Sequence, residues 1–128
     1  KVEKNYSDYN LQYLAKRKKA ENARALGDYD TALATFTEMV KDDKNLEFKP
    51  ELQYEIGRTL QNSNSFKQAE VVYLEILSDR LRRPKAETAA KTYYGLAEIQ
   101  RYSYNNFQMA AAYYDTASRQ NLLESILV

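Results

Sequence analysis

Apolar residues recur along the chain at three- and four-residue intervals, the spacing of one face of a helix. In residues 7–26, Leu11, Leu14 and Ala15 share such a face, and Gly27 then stops the helix, as glycine does just past a C-terminus. Ala32, Leu33, Phe36, Met39 and Val40 stripe a second helix over 29–41, ended by the polar run Asp42-Asp43-Lys44-Asn45. Pro50 opens a third, with Leu52, Ile56, Gly57 and Leu60 on its buried side and a turn at 62–65. Phe66, Ala69, Val72, Tyr73, Ile76 and Leu77 give a fourth, broken at Arg82-Arg83-Pro84. A fifth runs from about Lys85 to Arg101, with Ala89, Tyr93, Leu96 and Ile99 apolar. After Asn105-Asn106, a sixth carries Phe107, Ala110, Tyr113, Tyr114 and Ala117. Residues 119–128 hold Leu122, Leu123, Ile126 and Leu127, again at helical spacing. No segment alternates with period two, so the pattern predicts an all-α chain with essentially no strand.

Composition removes most chemistry from this outline. The 128 residues make one domain's length, and folding at that size hides roughly two thirds of the unfolded surface. With no Cys and no His, disulfides, thiolate or imidazole metal sites and Ser-His or Cys-His catalytic pairs are excluded. The three Gly, at 27, 57 and 95, are too scattered for a phosphate-cradling loop. Carboxylates are plentiful, but none forms a paired constellation, and Asp42-Asp43 lacks the alternating oxygen ligands of a calcium loop. The sequence therefore implies no enzyme and no cofactor. Lys and Arg number 19 against 18 Asp and Glu, a balance that argues against nucleic acid. The run Lys16-Arg17-Lys18-Lys19 points around its helix rather than along one stripe, and the cluster Arg80, Arg82, Arg83 and Lys85 falls in a turn. No stretch approaches the roughly 20 apolar residues of a membrane span. The chain starts on Lys and ends on Ile126-Leu127-Val128, which reads as an excerpt of a longer protein, and its compartment stays open.

Three blocks align within the chain. Each reads aromatic, two residues, Ala, three residues, aromatic: Tyr29/Ala32/Phe36, Phe66/Ala69/Tyr73 and Phe107/Ala110/Tyr114. The alanines lie 37 and then 41 residues apart. Ahead of the second block stands Ile56-Gly57 with Leu60 following, ahead of the third Leu96-Ala97 with Tyr93 before it, and ahead of the first, more weakly, Lys19-Ala20 with Ala23. This arrangement resembles the tetratricopeptide repeat (TPR), a helix–turn–helix unit of 34 residues. Ile56 to Ala69 keeps the family spacing of 13, and Leu96 to Ala110 is 14. The surplus length falls mainly in the turns at 43–49 and 79–85. The resemblance covers roughly residues 10–118. It implies a right-handed α-solenoid of three helical hairpins (about 7–45, 50–83 and 85–118), with 119–128 as a capping helix or the start of a fourth repeat.

By the family's pattern, a concave face would be lined by Arg17 and Glu21, then Tyr54, Arg58 and Gln61, then Lys91, Tyr94, Glu98 and Arg101. Tyr and Arg are common interface anchors, though the same set also reads as solvated helix faces with pairs such as Tyr94–Glu98 beside Lys91. Tyr54 and Tyr94 hold equivalent positions in adjacent repeats, and neither ring is expected to be needed for folding. One subclass of the family binds a chaperone's terminal carboxylate; here Glu55 and Gly95 stand where it uses Asn and basic residues, so that ligand is excluded by charge. The implied function is a protein–protein interaction scaffold taking a peptide or helix of a partner. The alternative is a substrate-recognition or regulatory segment of a larger enzyme or of a bacterial envelope or secretion assembly.

Overall fold

The computed structural model describes the backbone of residues 2–127 and the side chains of residues 9–120. Within them the chain forms six helices and no strand: α1 (Val2–Ala25), α2 (Tyr29–Lys41), α3 (Lys49–Asn62), α4 (Phe66–Ser78), α5 (Ala86–Glu98) and α6 (Phe107–Leu127). A 3-10 segment, Asp43–Phe48, joins α2 to α3, and a π turn, Ile99–Ser103, ends α5. Each helix packs on the next, and α3 also packs on α5.

Local chemistry sets the turns. Gly27 ends α1 at φ +86°, the left-handed conformation that glycine adopts without a Cβ clash. Its N–H and that of Asp28 bond back to Arg24 and Ala23 carbonyls at 3.0 and 2.9 Å. The Asp28 carboxylate then accepts from Thr31 N at 3.2 Å and caps α2. Asn64 and Asn105 repeat the left-handed turn at φ 67° and 55°. All three residues stand two positions before the aromatic that opens the following helix, so the internal repeat extends to the backbone. In the first two turns a bond spans five residues, Asp28 N to Ala23 O and Ser65 N to Leu60 O; in the third it spans six, Asn106 N to Gln100 O at 2.8 Å. The one extra residue between Leu96 and Ala110 is thus absorbed in the π turn, where Tyr104 N bonds Ile99 O at 3.2 Å. The fifth helix accordingly ends in regular form at Glu98, short of the expected Arg101.

Two buried clusters follow each other along the chain. Tyr13, Ala20, Ala32, Phe36, Met39 and Leu52 join α1, α2 and α3. Leu60, Ala69, Tyr73, Ile76, Leu96 and Ile99 join α3, α4 and α5 with its π turn. The repeat alanines Ala32 and Ala69 are wholly buried and Ala110 nearly so. A larger residue there must push helices apart, so Ala69→Leu should destabilise by about 1–3 kcal/mol. Thermal unfolding checks this, and an unchanged melting temperature would remove the close crossing.

Two expectations fail in the first and last helices. Leu11 and Leu14 are 65% and 50% exposed; α1 buries Tyr13 and Ala20 instead. Tyr13 stacks on Phe48 at 4.4 Å, a contact with the inter-repeat segment that helical spacing does not encode. Phe107, expected in the α6 stripe, is 64% exposed. The backbone of 119–127 continues α6 without a break, while the packing expected of Leu122, Leu123, Ile126 and Leu127 lies outside the described side chains.

Candidate functional site: the face shared by α1, α3 and α5

The nine residues expected on one face fall into linked groups across α1, α3, α5 and the π turn. On α1, Arg17 pairs with Glu21 at 3.2 Å and reaches Glu55 of α3 at 3.8 Å. Glu55 is nearly buried, and its closest partner is Arg24, at 2.9 Å and itself mostly enclosed. The contact is a charge pair without a well-directed hydrogen bond to Glu55 Oε1. Arg24 also donates to the Glu55 carbonyl at 3.3 Å and stands over the Phe36 ring at 5.7 Å. Glu55 is therefore an internal tie between α1 and α3. Tyr13 lies nearby with its hydroxyl buried and unpartnered, and burial raises its pKa against the opposing charge of Arg17.

On α3, Tyr54 is half-buried and stacks on Tyr73 of α4, with centroids 6.0 Å apart. Its pKa is raised, first by burial. This corrects the expectation that the ring is spare: Tyr54 packs against the second core cluster. Lys91 of α5 stands 5.9 Å over the same ring and pairs with Glu87 at 3.2 Å rather than with Tyr94 or Glu98. Arg17, Tyr54, Glu55 and Lys91 share the lining of a hollow of about 240 Å³.

Glu98 is the meeting point of α3 and α5. Arg58 Nη1 and Gln61 Nε2 both donate to its Oε1 at 3.3 Å. Gln61 Oε1 in turn accepts from the Tyr73 hydroxyl at 2.7 Å. Burial pushes the Tyr73 phenol far above its ordinary value. Tyr94 is the exposed counterpart of Tyr54: 52% open, it meets Tyr114 of α6 edge-on at 5.2 Å. Arg101 lies beyond it, its guanidinium 5.1 Å over Tyr102.

Arg17, Glu21, Tyr54, Arg58, Gln61, Lys91 and Glu98 thus belong to one layer spanning three helices, while Tyr94 and Arg101 sit at its outer end. Arg24, partly buried on the same helix face as Tyr13 and Ala20, is the member that sequence reasoning missed. Its signal was its spacing of seven from Arg17 and four from Ala20. The basic turn residues Arg80, Arg82, Arg83 and Lys85 are exposed. There Asp79 accepts from Leu81 and Arg82 N–H groups at 3.0 and 3.1 Å, and these bonds, Arg82's foremost, hold its carboxyl below the usual range.

Among the described residues no group of three or more His, Cys, Asp or Glu could hold a metal ion, and no helix is long and apolar enough to cross a membrane. No family model matches the chain, and neither curated proteins nor solved structures yield a match.

Proposed function

We propose that the chain is a TPR-like protein–protein interaction scaffold, a right-handed solenoid of three hairpins whose α1–α3–α5 face takes a peptide or helix of a partner protein. The observation that carries this reading is the layer itself. Side chains about 40 residues apart in sequence, such as Arg58 and Glu98, meet across helices on a surface that stays partly open. The layer mixes rings with both charge signs, and Tyr94 and Lys91 project from it exposed. Tyrosine supplies contact area at small entropic cost, and charges of both signs would set a partner's direction.

Because Tyr54 helps hold the fold, the test falls on Tyr94 and Lys91. A Tyr94→Ala, Lys91→Ala variant should keep its circular dichroism spectrum and stay folded, with a melting temperature lowered only modestly by the loss of the Tyr94–Tyr114 and Lys91–Tyr54 contacts. Capture of partners from a lysate, read by mass spectrometry, should fall, with each anchor contributing about 1–2 kcal/mol. Unchanged capture by the folded variant would move binding off this face.

A further inference from the structure

The π turn sets two exposed rings, Tyr102 and Tyr104, around a pocket beside Phe66, whose own ring packs on the second core cluster. In the second repeat, the end of the first helix is polar: Gln61, Asn62, Ser63 and Asn64. In the third, the lengthened segment places Tyr102 and Tyr104 there, 68% and 42% exposed. With Phe66 of α4 they line a pocket of about 390 Å³ whose other walls include Ile99 and Glu98. The exposed rings of Tyr102 and Tyr104, beside a helix irregularity, carry a solvation cost without joining either buried cluster, and π turns recur at functional sites.

The charge in this pocket selects its occupant. Aromatic faces attract cations, and in this same turn Arg101 already stands over Tyr102. Glu98 is the only ionised residue lining the pocket. Both of its hydrogen bonds, from Arg58 and Gln61, reach Oε1, leaving Oε2 without one among the described residues. A single free oxygen suits the compact charge of an ammonium, whereas a guanidinium gains most from binding both oxygens of a carboxylate. We infer that this pocket binds a lysine side chain presented by a partner protein, with its methylenes against Phe66, Tyr102 and Tyr104 and its ammonium at Glu98. The inference rests on the reading of the adjoining α1–α3–α5 face as a partner surface and gives one residue of that partner its chemistry.

The probe is N-acetyl-lysine methylamide, titrated into the isotope-labelled protein and followed by NMR, with the norleucine and arginine analogues as controls. Lysine should give saturable shifts at the amides of Ser103, Tyr104 and Asn105. Norleucine, which lacks the charge, and arginine should bind more weakly. Tyr102→Ala and Glu98→Gln should each weaken lysine binding about three- to tenfold. Arg58→Ala should strengthen it, because Arg58 offsets the charge of Glu98 from Oε1. Norleucine or arginine binding as tightly as lysine, or a folded Tyr102→Ala variant binding it undiminished, would overturn the assignment. The Tyr94→Ala, Lys91→Ala variant separates the two readings. Partner capture that survives this double change, beside intact lysine binding, defeats the face alone. Lysine shifts absent from a protein that still loses capture with the double change defeat the pocket alone.

Discussion

A Tyr73→Ala variant should lose about 3–5 kcal/mol of stability, among the largest effects of any single truncation in the chain. Tyr73 is wholly buried, and its ring lies between two glycines, one on each flanking helix. A Cβ on Gly95 would stand 2.7 Å from Tyr73 Cε2, and one on Gly57 would overlap Cε1 from the other side. The ring cannot retreat from one helix without striking the other. Gly95→Ala should therefore destabilise by about 1–3 kcal/mol, although alanine favours a helix over glycine by about 1 kcal/mol. In the Tyr73→Ala background the obstacle is gone, and Gly95→Ala should become neutral or stabilising. Denaturant unfolding of the two single variants and the double measures this reversal of sign; additive losses would refute the sandwich.

The phenol adds a pH dependence. Burial raises its pKa in the folded state, so the unfolded chain ionises first. Tyr73's contribution is fully present below the unfolded phenol pKa of about 10 and is lost as pH rises beyond it toward the folded value. Tyr73→Phe removes the hydrogen bond to Gln61 and should make stability fall less steeply above pH 10.

These contacts show how far the sequence could be read. The aromatic–Ala–aromatic blocks placed Ala32, Phe36, Ala69 and Tyr73 in the core because second-helix residues face neighbours on both sides, and helical spacing reports that directly. Gly57 was legible as a small buried residue. Gly95 was visible only as a departure from the carboxylate-binding pattern; its closeness to Tyr73 depends on α5 lying across α3–α4, a long-range fact. Leu11 and Leu14 misled because periodicity finds apolar faces but cannot weigh a Tyr13 that stacks on a distant Phe48. On the candidate face, spacing identified Arg58, Gln61 and Glu98 as neighbours by position, but not which charge meets which. Tyr102 and Tyr104 were passed over because their exposure follows from one extra residue taken up in a π turn.

Arg24→Ala should be the most damaging change on the candidate face, costing about 3–5 kcal/mol. Removing the guanidinium strands the Glu55 carboxylate, which is only 6% exposed, and opens a gap over Phe36. Arg17, at 3.8 Å from the other carboxylate oxygen, compensates in part, which places the expected loss at the lower end of that range. The cost arises from the unpaired charge more than from a lost attraction, so it depends on which partner is removed. Replacing both, as Arg24→Met with Glu55→Gln, leaves no charge to desolvate and should recover most of the loss. Equilibrium denaturation of the single and double variants decides the matter. If Arg24→Ala costs under about 1 kcal/mol, water reaches Glu55 freely, and the carboxylate would be available to a ligand after all. If the double variant recovers and still captures the partners of the parent chain, the pair ties α1 to α3, and recognition rests on the open residues around Tyr94, Lys91 and Glu98.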